Sequence, residues 1–342
     1  MSKLTFLRAL PAAVAALALG AGAAHAQRYT LRDDRVAIYN LAGEVRVEPG
    51  TGSAVVVEVT RGGSDRERLR VDEGARDGYQ TLSVVYPGDR VVYPRLGRGS
   101  RSTLTIRGDG TFGGGITGGR RVTVVGTGRG LQAYADLRVT VPAGRTIAIN
   151  QGVGRVAVTN VNGQIVVRTS AASVTATGTR GNLNVDVGSG GVTVRDAEGE
   201  ITLDTGSGGV TVNRIRGPRL VIDTGSGGVH GGDLRVEQLH VDVGSGGVDL
   251  QGVAARDVLI DTGSGSVDVE LTRDVRSVRI DSGSGGVELG VPEGLGAELE
   301  IETGSGGIDV DVPVVARRSG RSHLTGRIGD GDGRIEIDTG SG

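Results

Sequence analysis

The sequence has 342 residues and no cysteine, which excludes disulfides, thiol catalysis and cysteine-bound metals. It has 63 glycines, 2 phenylalanines and no tryptophan, so a core built on large aromatic rings is excluded and Val, Ile and Leu must fill a thin interior. The net charge of −2 gives no reason to expect a nucleic-acid partner.

The first 26 residues have the pattern of a secretory signal peptide. Lys3 and Arg8 supply positive charge, residues 9–22 are apolar, and Ala24-His25-Ala26 is a small-residue cleavage site. The apolar run is too short and too rich in alanine for a good membrane span. The sequence therefore predicts an exported protein of the periplasm, the outer surface or the medium, which does not span a membrane after cleavage.

Residues 28–145 form a predicted strand-rich N-terminal section, since apolar and polar residues alternate in stretches such as 55–59 and 82–86. Within it, a Gly- and Arg-rich excursion over 88–134 is predicted to stand off the main body as hairpins or loops. Its arginines suggest a patch for polyanions such as lipopolysaccharide or acidic glycans, and a solubilising glycine-rich loop is the alternative. The candidate residues of this patch are Arg95, Arg98, Arg101, Arg120 and Arg121.

Residues 146–342 repeat a corner motif with a nearly constant period. One copy reads Asp204-Thr205-Gly206-Ser207-Gly208-Gly209-Val210. The first glycine of successive full copies lies at 188, 206, 225, 244, 263, 283 and 304, and a last copy has its first glycine at 340. The steps between the full copies are 18 to 21 residues, which is typical of a solenoid.

One coil shows how the repeat is expected to fold. Leu239 and Val241 alternate with polar residues before the corner, and Val248 and Leu250 do so after it, so each set faces one side of a strand. Each coil is then a strand, a tight glycine corner, a second strand and a variable return. The sequence predicts an all-β fold, a single-stranded parallel β-solenoid (β-helix) of about nine coils of ~19 residues. The predicted coils begin at Ile147, Ile165, Leu183, Ile201, Leu220, Leu239, Val258, Val278 and Leu299.

The best candidate site is the row of acidic residues that precede the corners. Stacked strands lie ~4.8 Å apart, so neighbouring carboxylates of the row repel one another. Two explanations remain open: each carboxylate accepts hydrogen bonds from the N–H groups of its own corner, or Ca²⁺ binds between coils. The Ca²⁺ candidates are Asp204, Asp223, Asp242, Asp261 and Asp281. No other cofactor is expected.

Catalysis is disfavoured by the repetition itself. The corner is similar to the active-site loop of aspartic proteases, but those enzymes need two such loops facing each other, and here the carboxylates share one row. A nucleophilic serine needs a base and an orienting acid, whereas the equivalent corner serines share only His230, His240 and His323 after the signal segment. The sequence predicts no catalytic residues and no enzyme.

Three parts of the chain carry a family resemblance: the lead-in over 137–144, the Thr-x-Ser-Gly type coils, and the return over 325–333 before a final strand. Together with the signal segment they resemble a bacterial family of candidate adhesins of unknown function, grouped with pectate-lyase-like β-helices. The resemblance spans nearly all of the mature chain. It implies a β-helical fold and surface attachment, and it brings no catalytic residues to carry over.

These observations predict a non-enzymatic, adhesin-like binding module of the cell envelope. Surface glycans or lipopolysaccharide are the expected partners, contacted through the variable return or the arginine patch. Two alternatives remain: a polysaccharide-active β-helix enzyme, and a structural envelope protein that assembles through the edges of the solenoid.

Overall fold

The structure, a computed structural model, describes residues 26–113 and 118–342. The predicted signal segment lies outside the described residues except for Ala26. Over the described residues the chain is all-β, with one sheet of 22 strands and one of 3 strands. Two single-turn 3-10 helices, Arg66–Arg68 and Pro94–Leu96, interrupt the strands of the N-terminal section.

The strands follow the chain in two groups. The N-terminal section contains β1 (Gln27–Leu31), β2 (Arg35–Gly50), β3 (Val55–Gly62), β4 (Arg70–Arg76), β5 (Tyr79–Val85), β6 (Arg90–Val92), β7 (Arg101–Ile106), β8 (Arg120–Val125) and β9 (Tyr134–Pro142). The repeat section contains β10 (Arg145–Thr159), β11 (Gly163–Thr177), β12 (Leu183–Ser189), β13 (Val192–Glu198), β14 (Ile201–Ser207), β15 (Val210–Ser226), β16 (Val229–Ser245), β17 (Val248–Ala254), β18 (Asp257–Thr262), β19 (Val267–Leu271), β20 (Ser277–Ser282), β21 (Val287–Gly290), β22 (Ala297–Thr303), β23 (Val315–Ser319), β24 (His323–Ile328) and β25 (Gly333–Thr339).

From β12 to β21, each coil carries a strand segment before the glycine corner and another after it. The segments before the corner stack as a first row and those after it as a second row. Both rows are parallel and in register, so that Asp223 pairs with Asp242 in the first row and Val229 with Val248 in the second. Val241 and Val248 are buried whereas Asp242 is exposed, as period-two alternation requires. The predicted solenoid-like, all-β repeat fold is confirmed.

A third inward residue closes the coil on its return side. Ala197, Ile215, Leu234 and Val253 pair in register from coil to coil, and all four are buried. The cross-section of these coils therefore has three sides, each of which supplies aliphatic side chains to one narrow core. This arrangement explains how a chain almost free of large rings buries a continuous interior.

The parallel stack begins ahead of residue 146, the predicted start of the repeats. Strand β2 pairs in parallel with β10 along both rows, for example Ile38 with Ile149 and Val45 with Val156. Beyond β2, the next level of the stack consists of β5 in the first row and β9 in the second. Antiparallel strands β4, β3 and β1 then cover this end. The N-terminal section thus supplies both a coil and a cap.

Described residues of the excursion over 88–134 form the second sheet. Strands β6, β8 and β7 lie side by side in that order, and Val91, Val122 and Val124 on the inner face are buried in the common core. Phe112 packs edge-to-face on Tyr39 of β2 with ring centroids 5.7 Å apart. The excursion therefore packs on the body through an apolar face, instead of standing off as loops.

The C-terminal end departs from the expected order of coils. The segment at Leu299 was expected to stack on the segment at Val278, but Ile335 of the last strand, β25, lies between them and pairs with both. After β22 the chain turns back, and β24 pairs antiparallel with β22 on the side that faces away from β20. The chain then crosses the start of β22, where a Cβ on Gly296 would collide with Asp330, and enters the sheet on the inner side.

Candidate functional site

The repeated corner is held by backbone groups. Gly208 has φ of +148°, and a Cβ placed there would collide with the carbonyl oxygen of Gly190 in the preceding coil. Its N–H donates to the carbonyl oxygen of Ser226 in the next coil at 3.0 Å. The same ladder recurs at Gly190, whose N–H donates to Ser207 at 3.0 Å. Glycine is therefore needed at this position by the close stacking of identical corners.

Buried hydroxyls add a second ladder just inside the corner. The hydroxyl of Thr224 donates to the carbonyl oxygen of Gly208 at 3.4 Å, and that of Thr262 donates to Gly246 at 3.3 Å. Both threonines are buried, so the hydroxyls are satisfied only within the protein. The polar inner position of the corner is thus explained by a structural contact.

The carboxylates expected as Ca²⁺ ligands lie in one outward row. Asp204, Asp223, Asp242, Asp261 and Asp281 are successive register partners on the first row. The explanation that each carboxylate caps its own corner is wrong, because corner glycines donate to backbone carbonyl oxygens of neighbouring coils, as Gly208 does to Ser226 and Gly263 to Val243. Across the described residues, none of these five side chains has a hydrogen bond or ion pair.

Crowding in this row shifts one titration. Partial burial, followed by repulsion from Asp186, raises the pKa of the Asp204 carboxyl above its usual value. Within 26–113 and 118–342, no group of three or more acidic, histidine or cysteine side chains is placed to hold a metal ion. The Ca²⁺ site stays a prediction: it requires that the melting temperature rise with added Ca²⁺ and fall with a chelator.

Two of the five candidate arginines are committed to contacts within the protein. Arg95 forms ion pairs with Glu44 at 3.3 Å and with Asp136 at 3.2 Å, and it lies over the ring of Tyr134. Arg120 donates to the backbone carbonyl oxygens of Gly88 and Tyr86. These two side chains fix the second sheet to the body and are poorly placed to bind a ligand.

The other three candidates, Arg98, Arg101 and Arg121, are exposed, and their side chains have no ion pair or hydrogen bond within the described part of the chain. Strand register places Arg101 and Arg121 on the outer face of the second sheet, at opposite ends of the β7–β8 pair. Arg90 of β6 lies on the same face, because it pairs with Thr123, and its Nε donates to the carbonyl oxygen of Arg129 at 2.9 Å. Sequence reasoning missed Arg90, since only the register of three strands reveals which arginines share a face.

Threonines occupy the centre of this outer face. Thr103 and Thr123 lie opposite each other with their hydroxyl oxygens 3.2 Å apart, and Thr105 is paired with Arg121. We call the surface formed by Arg90, Arg101, Arg121, Thr103, Thr105 and Thr123 the Arg–Thr face. It combines guanidinium groups with hydroxyls on the outer face of a three-stranded sheet.

The return side of the shaft carries a ladder that the sequence did not indicate. Asn160, Asp196, Arg214 and Asp233 stack at equivalent positions and all adopt positive φ, between 53° and 55°. Arg214 donates to both carboxylate oxygens of Asp196, at 2.6 and 2.9 Å. This contact lowers the pKa of Asp196.

Comparison with known proteins identifies one family over most of the chain. Residues 135–342 match the Toastrack DUF4097 family. No curated protein matches the chain. A crystal structure of a candidate cell adhesion protein from Clostridium sporogenes ATCC 15579 is 9% identical and covers 93% of this chain and 96% of its own, with a TM-score of 0.24. A likeness that weak carries no argument about structure or role. Among the described residues no helix is long and apolar enough to cross a membrane.

Proposed function

This chain belongs to the Toastrack DUF4097 family, and on that premise we propose that it is an exported, non-enzymatic binding protein with an adhesin-like role in the cell envelope. The proposal includes a shaft of about nine coils that presents the N-terminal section at one end. It also includes acidic surface polymers, such as acidic glycans or lipopolysaccharide, as the partners. The signal-like segment at the start of the sequence supports export.

The observation that carries this proposal is the Arg–Thr face. The excursion 88–134 contains eight arginines against two aspartates, so it is the most basic part of the chain. Its two committed arginines hold it to the body, which leaves Arg101 and Arg121 with unpaired guanidinium groups on one outer surface. Arg90 shares that surface, with its Nε donating to the carbonyl oxygen of Arg129. Arginines on a β-sheet have a fixed backbone, so they lose less conformational entropy on binding than arginines on a flexible loop.

The chemistry of this face suits phosphate and carboxylate groups. Each guanidinium presents a planar fork of donors that matches two oxygens of such a group, and the threonine hydroxyls can bond to sugar hydroxyls between them. Arg121 pairs with Thr105, which lies four residues after Arg101 on β7. The two arginines are therefore separated by ~13 Å along the strand direction. That spacing fits repeated anionic groups of an extended polymer.

The non-enzymatic part of the proposal is supported by the corner. A polysaccharide lyase or hydrolase concentrates a distinct set of acids and a base in one groove. Here the acids that precede the corners recur in equivalent positions along the shaft, so this row of acids does not single out one coil. Turnover of a bound glycan would overturn this part and leave the binding part in place.

Paired arginine variants test the proposal. We expect the double variant R101Q/R121Q to bind lipopolysaccharide or acidic glycans at least about tenfold more weakly than the unmodified mature protein. The matched control is R219Q/R235Q, which removes the same charge from exposed positions on the shaft. Binding by both double variants should be compared at two salt concentrations. Equal losses would show a general charge effect and contradict a specific Arg–Thr face.

A further inference from the structure

The Arg–Thr face carries cations at its two ends and hydroxyls between them. Arg101 begins β7, and Arg121 of β8 lies opposite Thr105, near the other end of β7. Thr103 and Thr123 lie opposite each other, midway between the two arginines. Each arginine is therefore two residues, or ~6.7 Å along the strand direction, from the threonine pair. The order of groups along the two strands is cation, hydroxyl pair, cation.

The threonine pair can still bond to a ligand. The hydroxyl oxygens of Thr103 and Thr123 are 3.2 Å apart, so one hydroxyl donates to the other. This contact uses one of the two hydroxyl protons and leaves the second proton and further lone pairs free. Thr105, next to them on the outer face, has no side-chain hydrogen bond within the described residues. The middle of the face thus offers uncharged donors and acceptors.

Arg90 shares the face but is held away from its middle. Its neighbour across the strands is Thr123, yet its Nε donates to the carbonyl oxygen of Arg129 at 2.9 Å. Its Nη2 lies 3.8 Å from the position that a Cβ on Gly128 would take. The guanidinium of Arg90 is therefore held against the loop that follows β8, and the threonine pair keeps an uncharged surface.

The spacing between Arg101 and Arg121 is set by a backbone that packs on the body. Val122, on the inner face of β8, is fully buried. The hydroxyl oxygens of Ser102 in β7 and Ser170 in the shaft are 3.4 Å apart. Neither arginine has an ion pair in the part of the chain that the structure describes. Two available guanidinium groups are thus attached at fixed points on the sheet.

On the premise of the proposed binding role, we propose that the Arg–Thr face selects acidic glycans in which an uncharged sugar separates the sugars that carry carboxylates. The glycan lies along β7 and β8. One carboxylate binds Arg101 and the next binds Arg121, each through the two parallel hydrogen bonds that a guanidinium can donate. The uncharged sugar between them bonds to the hydroxyls of Thr103 and Thr123.

A glycan with a carboxylate on every sugar matches this order of groups less well. Its middle carboxylate would face threonine hydroxyls, which replace its lost water less effectively than a guanidinium does. The repulsion from the carboxylates on either side would also lack a third cation to offset it. An uncharged sugar avoids both costs, because its hydroxyls exchange bonds with water for similar bonds with threonine. The face therefore distinguishes glycans by the order of their charges.

Two oligosaccharides with the same number of carboxylates test this selectivity. Hyaluronan oligomers alternate a carboxylated sugar with an uncharged one, whereas oligogalacturonate carries a carboxylate on every sugar. In calorimetric titrations at one salt concentration, we expect the mature protein to bind the hyaluronan oligomer at least about tenfold more tightly. Equal affinities, or tighter binding of oligogalacturonate, would overturn the proposal.

A variant that moves one cation without changing the net charge separates spacing from charge. In R121Q/T123R the cation moves two residues along the outer face of β8, to the level of the threonine pair. The matched control is R121Q, which removes the cation outright. We expect both variants to bind the hyaluronan oligomer at least about tenfold more weakly than the unmodified protein. Affinity that R121Q loses and R121Q/T123R recovers would show that net charge is sufficient, and would overturn the proposal.

Removal of the hydroxyls tests the middle of the face. The variant Thr103→Val/Thr123→Val keeps both arginines and the β-branched shape of the side chains. It should bind the hyaluronan oligomer about fivefold more weakly, because hydrogen bonds to the uncharged sugar are lost. Melting temperatures verify that this variant and the shifted variant are folded. Unchanged affinity in the folded valine variant would contradict the hydroxyl contacts.

The outcomes also separate this selectivity from the binding role on which it rests. If both oligosaccharides bind equally and R101Q/R121Q weakens both, the face binds acidic polymers without reading the order of their charges. That result overturns the selectivity and leaves the binding role in place. If neither oligosaccharide nor lipopolysaccharide binds the mature protein, both proposals are wrong.

Discussion

The middle of the shaft and its C-terminal end are built from the same corner motif but stack it differently. From β12 to β20, each first-row segment pairs with the segment one coil further along the chain. At the C-terminal end, β25 pairs with β20 and β22, and its sequence neighbours are not its neighbours in the sheet. The motif therefore specifies what one level looks like, but not the order in which levels are stacked.

The two regions also differ in how fully the interior is covered. In the middle, corner glycines donate to backbone carbonyl oxygens of neighbouring coils and the inward side chains are buried. At the end, Val287 and Leu289 of the second row are only partly buried. Regular stacking therefore covers the apolar interior more completely than the rearranged order does.

Breaking the stack in the middle should have the largest effect. Gly208→Ala should lower the free energy of unfolding by about 3 kcal/mol, because the Cβ is driven into the carbonyl oxygen of Gly190 at positive φ. The matched control is Gly209→Ala in the same corner, whose Cβ would meet its nearest atom, the carbonyl oxygen of Gly228, at 3.5 Å. That change should cost no more than about 0.5 kcal/mol. Urea denaturation of the two variants measures the difference, and equal losses would contradict the stacking explanation of the corner.

Substitutions on the return side should destabilise the protein less than those in the corner. Their effect should depend on whether the new residue accepts a positive φ. Asp233 adopts φ of 55°, while Gly252 occupies the equivalent position of the next coil. Asp233→Val should destabilise the protein by about 1–2 kcal/mol, because a β-branched residue is strained in this region. Asp233→Gly should be close to neutral. Thermal melting distinguishes them, and an equal effect of both would show that the Asp233 side chain matters more than its backbone.

The smallest effects concern two exposed aspartates and should have opposite signs. The pKa of the Asp204 carboxyl is raised in the folded protein. Its contribution to the stability of the fold is therefore greatest at low pH, and it is lost as pH rises from 3.8 through the raised value. Asp204→Asn should therefore raise the melting temperature slightly at pH 7. The pKa of Asp196 is lowered by Arg214, so its contribution is present above 3.8 and is lost as pH falls through the lowered value. Asp196→Asn should lower the melting temperature at pH 7, and shifts of the same sign would contradict these assignments.

The repeat itself was predictable because its period reports backbone stacking. Asp223 and Asp242 occupy the same position in two successive copies of the motif. If identical corners stack on one another, these two residues must pair in the sheet, and they do. The role of β2 could not be predicted in this way, since residues 36–47 lack the Gly-Ser-Gly corner and yet stack on β10. The place of β25 was equally hidden, because Ile335 and Ile337 would fit the first row at any level.

The candidate site was predictable in part for a similar reason. Sequence could collect basic residues of the excursion, but not separate Arg95 from Arg101, because Glu44 and Asp136, the partners of Arg95, lie far away in the chain. The row of carboxylates was expected from the repeat. The hydrogen bonding of the corner was not predictable, because a corner N–H group can donate to a carboxylate of its own coil or to a backbone carbonyl of a neighbouring coil. In the structure the corner glycines donate to the carbonyls.

Disulfide formation between designed cysteines tests the order of strands at the C-terminal end most directly, and the chain has no cysteine to interfere. Disulfides need Cα atoms about 4.4–6.8 Å apart, which neighbouring strands at ~4.8 Å allow and strands two spacings apart do not. Asp281 pairs with Asp338, and Asp338 pairs with Glu302. Under mild oxidation, the pair Asp281→Cys/Asp338→Cys should cross-link and the pair Asp281→Cys/Glu302→Cys should not. Cross-linking of the second pair and not the first would place β22 directly on β20 and contradict the inserted strand.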